Sequence, residues 1–120
     1  MPFEFLLDYL PKGVIVVPAI GMFLLYANGK NVFIFRGTGK NPQHNGIWIS
    51  TKKAHHASLK AAIPAITNFT FDHATETDWL LLSGAHEDFE AAAIQLCGLV
   101  AGKDERIGNI TPKSRALFQL

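Results

Sequence analysis

Five histidines, one cysteine and a glycine-rich basic loop are the residues of this 120-residue chain that could do chemistry. The histidines are His44, His55, His56, His73 and His86. A zinc site on a helix favours two histidines at i and i+4, and no H-x-x-x-H pair occurs here. His55 and His56 are adjacent, so on a helix they diverge by about 100° and do not share one ion. No metal and no cofactor is therefore expected. Cys97 stands alone, which excludes an intrachain disulfide. It lies in an apolar helical pattern and reads as a small core residue. Ser83 precedes Gly84 but sits in no G-x-S-x-G elbow. Arg36-Gly37-Thr38-Gly39-Lys40-Asn41 resembles a phosphate loop only in outline. Asn41 stands where Walker A needs Ser or Thr, and Ile34 stands where it needs the first glycine. A looser nest of backbone N–H groups remains available to an anion. These residues name no reaction, and an enzyme is not the expected reading.

Charge is more informative than motif. From Tyr9 to Phe71, a run of 63 residues, there is no Asp or Glu. That run holds Lys12, Lys30, Arg36, Lys40, Lys52, Lys53 and Lys60. Residues 72–90 then hold Asp72, Glu76, Asp78, Glu87, Asp88 and Glu90 with no Lys or Arg. A net charge of +1 conceals this segregation. Two outcomes follow. Either the cations face an anionic partner, or the fold turns the acidic block against them.

The elements that must position these groups follow from apolar spacing and turn chemistry. Phe3, Leu6, Leu7 and Leu10 predict a short helix over 3–10, ended by Pro11 and Gly13. Val14–Val17 is a β-branched strand. Met22–Ala27 and Asn31–Phe35 flank Asn28-Gly29, the preferred pair for a type I′ hairpin turn. Gly37–Gly46 is a polar connecting loop. Ile47–Ser50 is a strand carrying Trp48. Lys52–Ile63 is a helix ended by Pro64. Further strands are predicted at about 66–72 and 79–82. A helix follows at about 86–101, with Glu87 and Asp88 in its first turn, where the dipole favours them. Phe89, Ala92, Ala93, Leu96, Cys97 and Val100 form its apolar face.

On a helical wheel, Leu59, Ala62 and Ile63 face inward. Lys53, His56 and Lys60 form one stripe beside them. Ala54, Ala57, Ser58 and Ala61 form a small-residue side open to a second backbone. His55 borders the apolar face, which makes it the candidate general base or pocket residue together with Trp48 and the 37–46 loop. The aromatic strands also admit a base-stacking platform, although aromatic core is the simpler account.

The run Gly21-Met22-Phe23, Tyr26, Asn28-Gly29-Lys30 resembles the hairpin of competence-regulator (TfoX-type) N-terminal domains. The element order is similar to small α+β domains of the MmcQ/YjbR kind, some of which are thought to bind DNA. The motif covers residues 20–36, and no site residue follows from it.

Hydrophobic content of 48% and charged content of 18% describe a folded chain. Pro18 and Gly21 interrupt the apolar stretch 14–27, so no membrane span is expected. The N-terminus lacks a basic signal-peptide region, and a cytoplasmic location is the default. The expected fold class is α+β, a mainly antiparallel sheet of about five to six strands with two to three helices on one face. Residues 1–102 form one domain and 103–120 an irregular C-terminal arm. The expected function is a non-enzymatic binding module. Arg36, Lys40, His44, Lys52, Lys53, His56 and Lys60 would engage nucleic acid or an acidic protein surface. The alternatives are a homodimeric interaction protein, or a small-molecule binder or enzyme with a pocket at His55 and Trp48.

Overall fold

The computed structural model describes residues 1–70 and 77–120. Six strands, β1 (Ile15–Ala19), β2 (Met22–Ala27), β3 (Lys30–Arg36), β4 (Gly46–Ile49), β5 (Thr67–Asn68) and β6 (Leu80–Ser83), form one sheet. Their order is β1-β2-β3-β4-β6-β5, and every pairing is antiparallel. The helices are α1 (His56–Ala62), α2 (Phe89–Ala101) and α3 (Pro112–Phe118), with a 3₁₀ helix at Glu4–Tyr9. The α+β class and the strand count agree with the sequence reading.

The β2–β3 hairpin turns as its sequence demands. Asn28 and Gly29 both have positive φ, 55° and 80°, as a type I′ turn requires. The Asn28 side chain donates to the Val100 carbonyl at 3.0 Å, tying the turn to the open end of α2. One irregularity lies beyond the reach of pattern reading. Leu25 pairs with Phe33 and Tyr26 with Asn31, so Val32 is an extra residue. This bulge lets Val32 and Phe33 both reach the core. The buried Asn31 amide donates to the Leu25 and Phe33 carbonyls, satisfying groups near the bulge.

Sheet alternation creates two unlike faces. Leu25, Phe33, Phe35, Ile47, Ile49, Leu80 and Leu82 pack with Leu6 and Leu10, with Leu59, and with Leu96 and Cys97 in one core. The 3₁₀ helix, α1 and α2 are thus gathered on one face, as expected. On the other face Ile34, Trp48, Leu81 and Phe69 form a smaller cluster, with Met22, Leu24 and Trp79 against it. Cys97 is completely buried, and burial pushes its thiol up to about 12. This agrees with its reading as a core residue.

Three elements differ from the sequence reading. Residues 103–120 are not an irregular arm. Thr111 caps α3 through a reciprocal capping box with Ser114, and Pro112 occupies the first turn. The segment before α3 bridges to the sheet, Asn31 and Asn109 exchanging backbone hydrogen bonds at 3.0 Å. The helix expected over 52–63 divides into a 3₁₀ turn at Lys53–His55 and then α1. Of the strand expected over 66–72, Thr67–Asn68 is the part formed; Phe71 and Asp72 lie outside the described residues, as do His73 and Glu76.

Candidate functional site

The strand period decides which side chains meet on the face away from the helices. Ile34 and Arg36 alternate onto it from β3, Trp48 lies opposite Ile34 on β4, and Met22 lies opposite Arg36 on β2. The loop 37–46 folds back beside them. Together Ile20, Gly21, Met22, Arg36, Thr38, Gly39, Lys40, His44 and Trp48 line a cavity of about 440 Å³. That size lies within the range of small-ligand sites. Three of the residues singled out as cationic, Arg36, Lys40 and His44, are therefore brought together with Trp48.

The loop is built around Arg36. Its guanidinium donates to the Asn41 carbonyl at 2.9 Å, to Asn45 Oδ1 at 2.9 Å and to the Lys40 carbonyl at 2.8 Å. Asn45 closes the same loop, accepting from Thr38 N–H at 3.0 Å and donating to the Thr38 carbonyl at 2.8 Å. Trp48 Nε1 donates to the His44 carbonyl at 2.8 Å. These bonds replace the ladder partners that the connection between β3 and β4 lacks. Arg36 therefore acts first as the loop's internal post, because its planar fork matches several carbonyls at once. Lys40 is exposed at the rim. His44 packs its ring 5.3 Å from Phe69, which lies 4.6 Å from Trp48.

Gly46 makes the return of the loop into β4 feasible. Its φ is +136°, and an added Cβ would collide with the Leu82 carbonyl oxygen. Only glycine accepts both conditions. Gly21 serves the facing hairpin with φ +72°, leaving Ile20 at the tip, fully exposed.

The helical stripe is a separate place. His56 Nε2 bonds the Asp78 carbonyl at 2.8 Å. Lys60 donates to Asn68 Oδ1. Lys52 and Lys53 are exposed. His55 does not line the cavity at Trp48. It lies near Asp104, whose carboxyl is held below its ordinary value chiefly by a side-chain hydrogen bond from Arg106, with further attraction from Arg106 and His55. Asp104 and Arg106 form an ion pair at 2.7 Å. Arg106 also donates to Ser58 on the small-residue side of α1 at 3.3 Å. The pocket expected between His55 and Trp48 is thus replaced by one between Trp48 and the β1–β2 turn.

Among the described residues, Asp104–Arg106 is the one ion pair. No carboxylate at Asp78, Glu87, Asp88 or Glu90 pairs with a cation of 36–60. Asp88 instead stands at the N-cap position of α2 without a side-chain capping bond, and Glu90 lies in the first turn, favoured by the helix dipole. Asp72 and Glu76, the other expected counter-charges, lie outside the described residues. No cluster of metal-ligating side chains occurs among the described residues, and no helix of the described chain is long and apolar enough to cross a membrane.

Ile20 and Met22 escaped the sequence reading as site residues. The available signal was Ile20 itself, a β-branched residue at a turn apex where burial contributes nothing. Comparison with protein families, with curated proteins and with solved structures finds no match to this chain. The hairpin resemblance therefore rests on the 20–36 motif alone.

Proposed function

We propose that this protein is a non-enzymatic binding module that engages an anionic partner at the loop following β3. The observation that carries this reading is the cavity lining. It contains Arg36, Lys40 and His44 and no Asp or Glu among the described residues. Cationic side chains such as Arg36 and Lys40 beside a concavity attract anions. The loop is also held in shape by its own hydrogen bonds, so little ordering cost accompanies binding. Binding is favoured over catalysis because the described lining has no Ser or Cys nucleophile, and the Thr38 hydroxyl donates to the Lys40 carbonyl.

The basic surface inferred from residues 36–60 contracts to this loop. Lys60 and His56 have partners near β5 and β6, and Lys52 and Lys53 stand apart from the cavity lining. Nucleic acid and acidic peptide are the two partner classes consistent with charge alone. Fluorescence anisotropy with a labelled DNA duplex, a single-stranded oligonucleotide and a polyglutamate peptide tests the reading. Affinity should fall as salt rises and drop in Lys40→Ala. Absence of binding to all three and to inorganic phosphate at about 50 mM salt overturns it.

A further inference from the structure

The cavity has a second character that charge does not explain. One wall is cationic, at Lys40 and Arg36. The lining also carries the apolar side chains of Ile20, Met22 and Trp48. Ile20 is 100% exposed at the apex of a two-residue turn, where Asn, Asp or Gly is the usual choice. It gains nothing from the fold there. Met22 is half-buried beside it, an unbranched side chain that adapts to irregular apolar shapes.

The cationic wall is also narrower than its residue count. Both terminal nitrogens of Arg36 already donate to the loop. Lys40 is then the cation at the rim whose side chain has no bond or ion pair among the described residues. A polyanion is best held by a row of such groups, whereas one ammonium suits one anionic head. From the pairing of this single point charge with an apolar wall, we infer that the site takes a small amphiphilic anion. Its carboxylate or phosphate lies at Lys40, and its apolar body lies against Ile20, Met22 and Trp48. This inference rests on the anion-binding reading and narrows its ligand class.

The chain has only two methionines, Met1 and Met22. Methyl-labelled methionine therefore gives two NMR signals, one reporting from the cavity and one serving as a control. The titrants are inorganic phosphate, butanoate, hexanoate and octanoate, with a single-stranded oligonucleotide and phosphatidylglycerol vesicles as further arms. The expected result is a selective Met22 shift. Affinity should tighten about three- to fourfold per added methylene until the apolar wall is filled. Ile20→Ser should weaken octanoate about fivefold and leave phosphate unchanged. Lys40→Ala should weaken both about tenfold. A flat chain-length series, with phosphate or oligonucleotide still bound through Lys40, overturns the amphiphile and leaves the anion-binding reading standing. A rising series that is identical in Lys40→Ala overturns the anion-binding reading itself. Vesicle binding without a Met22 response to octanoate also overturns the amphiphile, in favour of a lipid surface. Both variants alter exposed positions, so the folded protein is available for each comparison.

Discussion

The loop 37–46 and the helix α1 both looked like anion-binding elements, yet their cations are used differently. In the loop, Arg36 is committed to the Lys40, Asn41 and Asn45 oxygens and thereby shapes a cavity. On α1, His56 and Lys60 reach toward Asp78 and Asn68 across the β5–β6 end of the sheet. One set of charges builds a concavity with an exposed lysine at its rim. The other ties a helix to the neighbouring strands. A cluster of cations in sequence therefore counts charges without showing which of them structure has already engaged. The partner atoms decide that, and here they are mostly neutral carbonyl and amide oxygens.

The sharpest test of this contrast lies in the loop's glycines. Gly46→Ala should lower the unfolding free energy by about 3 kcal/mol, since a Cβ meets the Leu82 backbone at a disfavoured φ. Gly39 has nothing within 4 Å of its added Cβ, and Gly39→Ala should stay within about 0.5 kcal/mol of wild type. Equal midpoints in urea would refute the anchoring role of Gly46.

Arg36→Lys should come next. It keeps the charge and loses the fork, costing about 1–2 kcal/mol. Lys60→Ala, at a half-buried surface bond, should cost less than about 0.5 kcal/mol. If the two variants unfold together, Arg36 is not the loop's post.

Binding separates the regions by a similar margin. Lys40→Ala should weaken octanoate or inorganic phosphate about tenfold, and Lys53→Ala less than about twofold. Equal losses would return the anion site to the whole 36–60 surface.

The smallest effect concerns the charges beside α1. Hydrogen bonding from Arg106 lowers the Asp104 carboxyl below its ordinary value of 3.8. A depressed carboxyl value contributes stability above the unfolded-state value and loses it as pH falls through the folded one. Wild type should therefore lose stability between about pH 5 and pH 3 more steeply than Asp104→Asn, while Lys40→Ala follows wild type. Parallel acid limbs for Asp104→Asn and wild type would show that the pair carries no linkage.

What the sequence disclosed was local. Asn28-Gly29 specified its turn, and the apolar spacing of Phe89 to Val100 specified the buried face of α2. The capping box at Thr111 and Ser114 is equally local, but so short a helix has little periodicity to read. The Val32 bulge was not legible. It depends on the Asn31 amide finding two carbonyls and on Asn109 arriving from far along the chain. The site was half legible for the same reason. Arg36, Lys40, His44 and Trp48 were visible as residue types, but their meeting with Ile20 and Met22 needs the strand register. The exclusion of His55 needs the position of Asp104.

The strand order β1-β2-β3-β4 repeats the order of synthesis, and this has a consequence for the nascent chain. By residue 50 four neighbouring strands have emerged, all joined by short-range pairings that close quickly. Their apolar side, with Phe33, Phe35 and Ile47, still lacks Leu96 and Cys97 of α2. Pairing therefore runs ahead of burial, and during translation the half-made sheet presents an oily surface to whatever else is in the cell. Only when α2 has left the ribosome can that surface close.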